Sequence, residues 1–201
     1  MANDDPDGRV LLLRHGETEW SAGGRHTSRT DVPLTDRGRA RARATAATGT
    51  TLLRGKAPAL VLSSPRDRAR TTAELAGLHV DRIDERLAEW DYGAYEGRTT
   101  PEIREDDPGW TVWTHPSPGG ETAAQVQARA DDLLAAVRPA LADGDVVLVG
   151  HGHFSRVLIA RWIGLPATEG VRFAMDSASW AVLGHERGVP RCDHVNLSDL
   201  T

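Results

Sequence analysis

The chain has 201 residues, 39% of them apolar, which is enough for one sizeable core and predicts a single domain over residues 1–201. A net charge of −5 argues against a nucleic-acid binder, because such proteins carry basic stripes. The single cysteine, Cys192, excludes an intramolecular disulfide and a cysteine-based metal site. The polar start predicts a frayed tail over residues 1–8 and not a signal peptide, and no apolar run is long enough to span a bilayer, so we expect a cytoplasmic protein.

Strands and helices are predicted to alternate along the first half of the chain. An apolar run at Val10–Leu13 predicts the first strand, and a Gly- and Thr-rich stretch over residues 16–34 predicts a long loop. Thr35 is a suitable N-cap for a helix over residues 36–53. The other elements predicted in this half are a strand at 60–63, a helix opened by Pro65 that ends near residue 75, and a short strand at 79–83.

The second half begins with an irregular segment. Residues 84–120 contain four prolines and three tryptophans, which predicts a small cap over the sheet with one short helix at 101–106. Residues 122–141 have apolar side chains at helical spacing, which predicts an amphipathic helix. The remaining predicted elements are a strand at 146–149, a helix at 155–163, and closing strands at 178–183 and 189–195. This alternation predicts an α/β fold, a three-layer sandwich whose mostly parallel central sheet has helices on both faces.

Two of the predicted strands end in a histidine. Arg14 and His15 follow the first strand, and His151 and His153 follow the strand at 146–149. Ligands of open α/β sheets bind at the carboxyl ends of strands. Arginine matches the geometry of phosphate oxygens, and a neutral histidine ring can act as a nucleophile. These strand ends therefore predict an enzyme that acts on an anionic substrate.

Two further segments carry candidate functional groups. An arginine-rich segment opens the helix after the second strand, where a helix N-terminus attracts anions, and spacing alone does not distinguish Arg66, Arg68 and Arg70. Carboxyl groups between aromatic residues are candidate general acids, because desolvation favours their protonated form; these are Glu89, Asp91 and Glu96. His151 and His153 could also form a metal pair, but no further metal-ligand pattern accompanies them, so we expect no metal.

Isolated histidines are expected to be structural or exposed. These are His26, His79, His115, His185 and His194.

Taken together, these segments resemble the histidine phosphatase superfamily, which has the phosphoglycerate-mutase-like fold. The resemblance extends from about Val10 to Leu183. It is carried by Arg-His-Gly-Glu-Thr at 14–18, Ser-Pro-x-x-Arg-Ala at 64–69, a glutamate before Tyr-Gly-x-x-Glu-Gly at 92–97, and Gly-His-Gly at 150–152.

The resemblance implies a role for each matching residue. His15 would be the phosphorylated nucleophile and Glu89 the proton donor. Arg14, Arg68 and His151 would complete the phosphate pocket. The resemblance, and not the spacing, selects Arg68 and Glu89 from their neighbours.

Several positions are more similar to phosphatases than to mutases of this superfamily. Ser21 and the Thr27-Ser28 pair stand where mutases usually have Asn and Gln-Gly. Thr100 stands near the lysine that mutases carry, and the chain lacks the Arg-Arg dipeptide that holds a substrate carboxylate there. The chain is similar to a bacterial acid phosphatase branch that also resembles fungal sedoheptulose-bisphosphatase.

The resemblance therefore implies a metal-independent phosphomonoester hydrolase, an acid or sugar phosphatase, that works through a phosphohistidine and needs no cofactor. The expected partner is a small phosphorylated metabolite such as a sugar phosphate, not nucleic acid or a membrane, and the protein would be a monomer or homodimer. Substrate contacts are expected from Ser21, Thr27, Tyr92, Glu121 and His153. The alternatives are a cofactor-dependent phosphoglycerate mutase, a non-catalytic phosphate-binding regulatory module, and a metal-dependent hydrolase using His151 and His153.

Overall fold

The computed structural model describes residues 8–198, which form a six-stranded sheet with helices around it. The strands are β1 (Val10–Arg14), β2 (Leu60–Ser63), β3 (Arg82–Ile83), β4 (Val146–Gly150), β5 (Trp180–Glu186) and β6 (Val189–Leu197). They lie in the order β3-β2-β4-β1-β5-β6. The first four strands of this order pair in parallel, and β5 and β6 add an antiparallel edge. The sheet is therefore mostly parallel, as predicted.

Helices cover both faces of the sheet. The α-helices are α1 (Glu19–Ala22), α2 (Asp36–Leu52), α3 (Asp67–Leu75), α4 (Thr100–Asp106), α5 (Ala123–Val137) and α6 (Gly152–Trp162). One core cluster joins the sheet to α2 and α3, and a second joins its other face to α5, α6 and the segment 84–120. The predicted three-layer sandwich is confirmed. None of the helices between residues 8 and 198 combines the length and apolar character that crossing a bilayer requires.

The central strands are apolar on both faces because both faces are covered. In β1, Val10 and Leu12 pack into the cluster with α5 and α6, whereas Leu11 and Leu13 pack into the cluster with α2 and α3. All four side chains are buried. Strands buried on both sides have continuous apolar runs, which is the pattern that reveals β1 in the sequence.

The segment 84–120 packs onto the helical layer. Trp90, Trp110 and Trp113 are buried in the same cluster as α5 and α6. Gly93 has a φ of +51°, and a Cβ at this position would lie 2.2 Å from the carbonyl oxygen of Pro118. The chain at Gly93 therefore lies so close to the chain at Pro118 that only glycine fits.

Several predicted boundaries differ from the structure. Helix α3 begins at Asp67 and not at Pro65, and its first N–H donates to the Asp31 carboxylate at 2.8 Å. Helix α5 ends at Val137, because Pro139 lacks the N–H that would continue it, and a 3₁₀ turn follows. Strand β3 has only two residues, and the long loop after β1 contains α1.

The predicted tail is wrong for its last residue. Gly8 is buried, and its N–H donates to the carbonyl oxygen of Leu141 at 3.2 Å. Residues 1–7, to which the rest of that prediction applies, lie outside the described residues.

Candidate active site

His15 lies where β1 ends, held by the backbone of two parallel strands. Its N–H donates to the carbonyl oxygen of Gly150 at the end of β4, over 2.9 Å. Its ring Nδ1 lies 2.7 Å from the carbonyl oxygen of Gly16, a distance at which a protonated Nδ1 donates. This contact assigns the ring proton to Nδ1 and leaves the lone pair on Nε2.

The surroundings of His15 keep its ring neutral. Burial lowers the pKa of His15 well below its ordinary value of 6.5, and the positive charges of Arg14 and Arg68 lower it further. A neutral ring is the form that can attack phosphorus. The charges of Arg14 and Arg68 thus help to keep the His15 ring unprotonated.

Two arginines lie beside His15: Arg68 is buried, and Arg14 is half-buried with its Nε inaccessible to solvent. Arg14 donates from Nη1 to the carbonyl oxygen of Met175. Arg68 is 1% exposed and donates to backbone carbonyls of the loop between α1 and α2. Within residues 8–198, the buried Nε–H of each arginine finds no hydrogen-bond partner. Buried donors are normally satisfied, so these two groups indicate a place for a bound acceptor.

His151 is the second histidine of the site. It is fully buried, and its ring centroid lies 5.2 Å from that of His15. Its Nε2 lies 2.7 Å from Ser64 Oγ, and we assign the hydroxyl as donor, which puts the ring proton on Nδ1. That buried Nδ1 has no partner among residues 8–198. Burial, followed by the charge of Arg68, lowers the pKa of His151 well below 6.5, so its ring is neutral as well.

Glu89 binds the start of helix α6. Its carboxylate accepts hydrogen bonds from three backbone N–H groups, those of Trp90 at 2.9 Å, His153 at 3.0 Å and Phe154 at 2.8 Å. Two of these belong to the first turn of α6, whose N–H groups have no partner within the helix. The helix therefore begins at Gly152, three residues before the predicted start, because a carboxylate remote in sequence caps it.

A cavity of about 160 Å³ lies in front of His15. Seven of the predicted site residues line it: Arg14, His15, Ser21, Thr27, Glu89, Tyr92 and His153. Arg68 and His151 are buried against His15 and do not line this cavity. Glu121 also lies outside it, bound to Arg129 and to the backbone N–H of Asp91.

Three of the predicted substrate-contact residues, Tyr92, His153 and Ser21, already form hydrogen bonds within the protein. The Tyr92 hydroxyl lies 2.6 Å from His153 Nδ1. Burial raises the pKa of Tyr92 well above 10, so its hydroxyl donates, and the neutral His153 ring carries its proton on Nε2. Ser21 is engaged in a capping box with Thr18 at the start of α1.

Six further residues line the cavity, and three of them carry a basic side chain that was not among the predicted site residues: Arg25, His26 and Arg156. His26, expected to be structural or exposed, is buried against Tyr92 and Trp110, and burial lowers its pKa to about 4. Arg156 lies one turn after Gly152 on α6, a spacing that could have revealed it. Arg25 follows α1 and carries no comparable signal. The two arginines add guanidinium groups to the cavity although the chain has no Arg-Arg dipeptide.

The two histidines of the alternative metal pair face different neighbours. His151 contacts His15 and Ser64, whereas His153 contacts Tyr92 and His26. Between residues 8 and 198, no group of three or more His, Cys, Asp or Glu side chains is arranged to hold a metal ion.

The fold and the site define an α/β protein in which two histidines and two arginines gather at the carboxyl ends of neighbouring parallel strands. The chain belongs to the histidine phosphatase superfamily (branch 1), whose family model matches residues 10–198. The predicted resemblance is therefore confirmed. An acid phosphatase of Mycobacterium tuberculosis is 53% identical over 184 residues, covering 90% of this chain and 88% of its own.

Two further comparisons extend this result. A sedoheptulose 1,7-bisphosphatase of Saccharomyces cerevisiae is 32% identical over 188 residues, covering 78% of this chain and 68% of its own. The solved structure of an open reading frame of Mycobacterium tuberculosis superimposes with a TM-score of 0.91 at 49% identity, covering 96% of this chain and 98% of the other.

Proposed function

We propose that this phosphatase hydrolyses phosphate monoesters without a metal, with His15 as the residue that becomes phosphorylated. The observation that carries the proposal is the set of three buried, unpartnered N–H groups around His15, among residues 8–198, on Arg14, Arg68 and His151. A phosphate dianion offers acceptors for all three. The family match and the identity with an acid phosphatase support the same reaction.

In the first step, Nε2 of His15 bonds to phosphorus while the bond from phosphorus to the ester oxygen breaks. Glu89 in its protonated form gives its proton to the leaving oxygen. Arg14, Arg68 and His151 stabilise the charge on the non-bridging oxygens, which is the main contribution a protein makes to phosphoryl transfer.

In the second step, Glu89 acts as a carboxylate. It takes a proton from a water molecule whose oxygen bonds to phosphorus, and the bond between phosphorus and His15 breaks. Inorganic phosphate leaves, and Glu89 is protonated again for the next cycle. One carboxyl group can serve as acid and then as base because its proton transfer in the second step is the reverse of that in the first, with water in place of the leaving group.

The substrate is a small phosphorylated metabolite, and we propose that it is a sugar phosphate. The cavity is small and carries many hydrogen-bonding side chains, among them Arg25, His153 and Arg156, which suit hydroxyl groups and further anionic groups. The bisphosphatase relative acts on a sugar phosphate by name. A monomer or homodimer in the cytoplasm remains our prediction.

The nucleophile assignment is tested by His15→Ala. The variant should lose turnover of p-nitrophenyl phosphate. After quenching without acid, the variant protein should also carry no radioactive phosphate, whereas the parent protein shows transient labelling. Parent activity should persist in EDTA, since the arginines supply the positive charge. Full activity of His15→Ala would contradict the assignment, and loss of parent activity in EDTA would contradict the metal-free mechanism.

The proton-donor assignment is tested by Glu89→Gln with two leaving groups. Turnover of an alkyl phosphate should fall by about 10²- to 10⁴-fold, the usual contribution of general acid catalysis, because an alkoxide needs a proton to leave. Turnover of p-nitrophenyl phosphate should fall much less, since nitrophenolate leaves unprotonated. Equal losses for both substrates would contradict this role.

A coupled assay with 3-phosphoglycerate tests the mutase alternative, which the arginines in the cavity make worth measuring.

A further inference from the structure

Arg129 of helix α5 binds the segment that carries Glu89. Its Nη1 donates to the carbonyl oxygens of Arg86, at 2.9 Å, and Ala88, at 2.7 Å. Its Nη2 approaches the carbonyl oxygen of Glu89 itself, at 3.4 Å. A single guanidinium, with its donors in a fixed plane, thus holds the backbone immediately before and at Glu89.

The same guanidinium is held by a carboxylate that reaches the other side of Glu89. Glu121 accepts from Arg129 Nε at 2.9 Å and from Nη2 at 2.6 Å, a two-pronged pair. Its Oε2 also accepts from the backbone N–H of Asp91 at 2.9 Å. Arg129 and Glu121, the 129–121 clamp, therefore fix the chain on both sides of Glu89.

Arg129 also contacts the residue that binds the Glu89 side chain. Its Cζ lies 4.2 Å from the ring centroid of Phe154, a cation–π contact. The N–H of Phe154 donates to Glu89 Oε1 at 2.8 Å. The clamp thus touches both the backbone and a hydrogen-bond donor that set the position of the carboxylate.

We propose that Arg129, together with Glu121, is a positioning residue for proton transfer by Glu89. This inference rests on the proposed function, because it assumes that Glu89 protonates the leaving group. It also gives Glu121, expected from the sequence to contact substrate, a different task outside the cavity. Displacing a reacting group by about 1 Å can cost about a hundredfold in rate, so a loosened clamp should affect catalysis more than binding.

The test is Arg129→Lys, which keeps the charge and loses the planar set of donors. We expect turnover of glycerol 2-phosphate to fall about tenfold to a hundredfold, with less loss for p-nitrophenyl phosphate and little change in KM. Glu121→Gln should change the ratio of the two rates in the same direction, and it decides the matter if Arg129→Lys does not fold. Arg161→Lys is the matched control, because Arg161 pairs with Asp131 of α5 at 2.6 Å and lies outside the clamp.

The outcomes separate this proposal from the one on which it rests. Equal losses for both substrates in Arg129→Lys or Glu121→Gln, with a normal leaving-group effect in Glu89→Gln, would overturn the positioning role alone. The same selectivity in Arg161→Lys would also overturn it, because any loosened arginine would then suffice. If Glu89→Gln itself shows no leaving-group effect, the proton-donor assignment fails and the positioning role fails with it.

Discussion

Acid should destabilise this protein through His26, in a way that one substitution can isolate. The ring of His26 is buried against Tyr92 and Trp110, 4.7 and 5.1 Å between centroids, and lies 3.2 Å from the Thr100 hydroxyl. Burial lowers its pKa from 6.5 to about 4. Between these two values, the unfolded chain binds a proton at His26 and the folded chain does not. The contribution of His26 to stability is therefore complete above pH 6.5 and is lost as the pH falls towards 4.

The size of the effect follows from the two pKa values. One pKa unit is worth about 1.4 kcal/mol. At pH 5, which is about 1.5 pH units below the pKa of the unfolded histidine, the unfolded chain binds the proton and the folded chain does not. His26 should therefore remove about 2 kcal/mol from the free energy of unfolding relative to pH 7.5. His15, His151 and His153 have pKa values lowered in the same direction and add to the acid sensitivity of the parent protein.

The assay compares the parent protein with His26→Gln by urea unfolding at pH 7.5 and pH 5.0, in buffers without phosphate. The amide of glutamine can still hydrogen-bond to Thr100 but does not titrate. The loss of stability between the two pH values should be about 2 kcal/mol smaller in the variant, whatever its stability at pH 7.5. Equal m-values are required, so that both proteins unfold between the same states. Losses that agree within about 0.5 kcal/mol would refute the reasoning.

Two further predictions concern packing and protonation. Gly38→Ala should lower the free energy of unfolding in urea by about 2 kcal/mol, because a Cβ would lie 2.1 Å from the Glu17 carbonyl oxygen. In the control Gly23→Ala, the nearest contact of the Cβ is 3.4 Å, so stability should change by less than about 0.5 kcal/mol. Similar values for both variants would contradict the packing argument. The ring resonances of His15 and His151 should not titrate between pH 7.5 and 5.5 in NMR spectra, with assignments from His15→Gln and His151→Gln. A midpoint near 6.5 for either ring would contradict the burial argument.

Local chemistry in the sequence is enough to predict most of the layers. The apolar runs of β1 and β4 identify buried parallel strands, and Thr35 caps α2 through its side chain as predicted. The histidines at the ends of these two strands lie at one edge of the sheet for the same reason. Parallel strands end at the same edge, but it is the strand order that makes β1 and β4 neighbours and brings His15 and His151 together.

The choice among the arginines could not be made from spacing. Arg66, Arg68 and Arg70 are alternatives in the sequence, yet only Arg68 is buried, while Arg70 is exposed and pairs with Asp67. The difference arises because the loop between α1 and α2 covers Arg68 and supplies three carbonyl acceptors. Those contacts join residues about 40 positions apart, which no local pattern encodes.

What the sequence determined by itself was therefore the set of elements whose cause is local: apolar runs, side-chain caps and strand ends. The tertiary structure alone decided that Glu89 caps α6 and moves its start to Gly152, that Arg25 and Arg156 enter the cavity, and that Arg129 holds the proposed proton donor. Each of these depends on a hydrogen bond, or on a cavity lining, that is formed by segments distant in the chain. Such contacts exist only after the layers have packed, because the packing is what brings the donors and acceptors within reach.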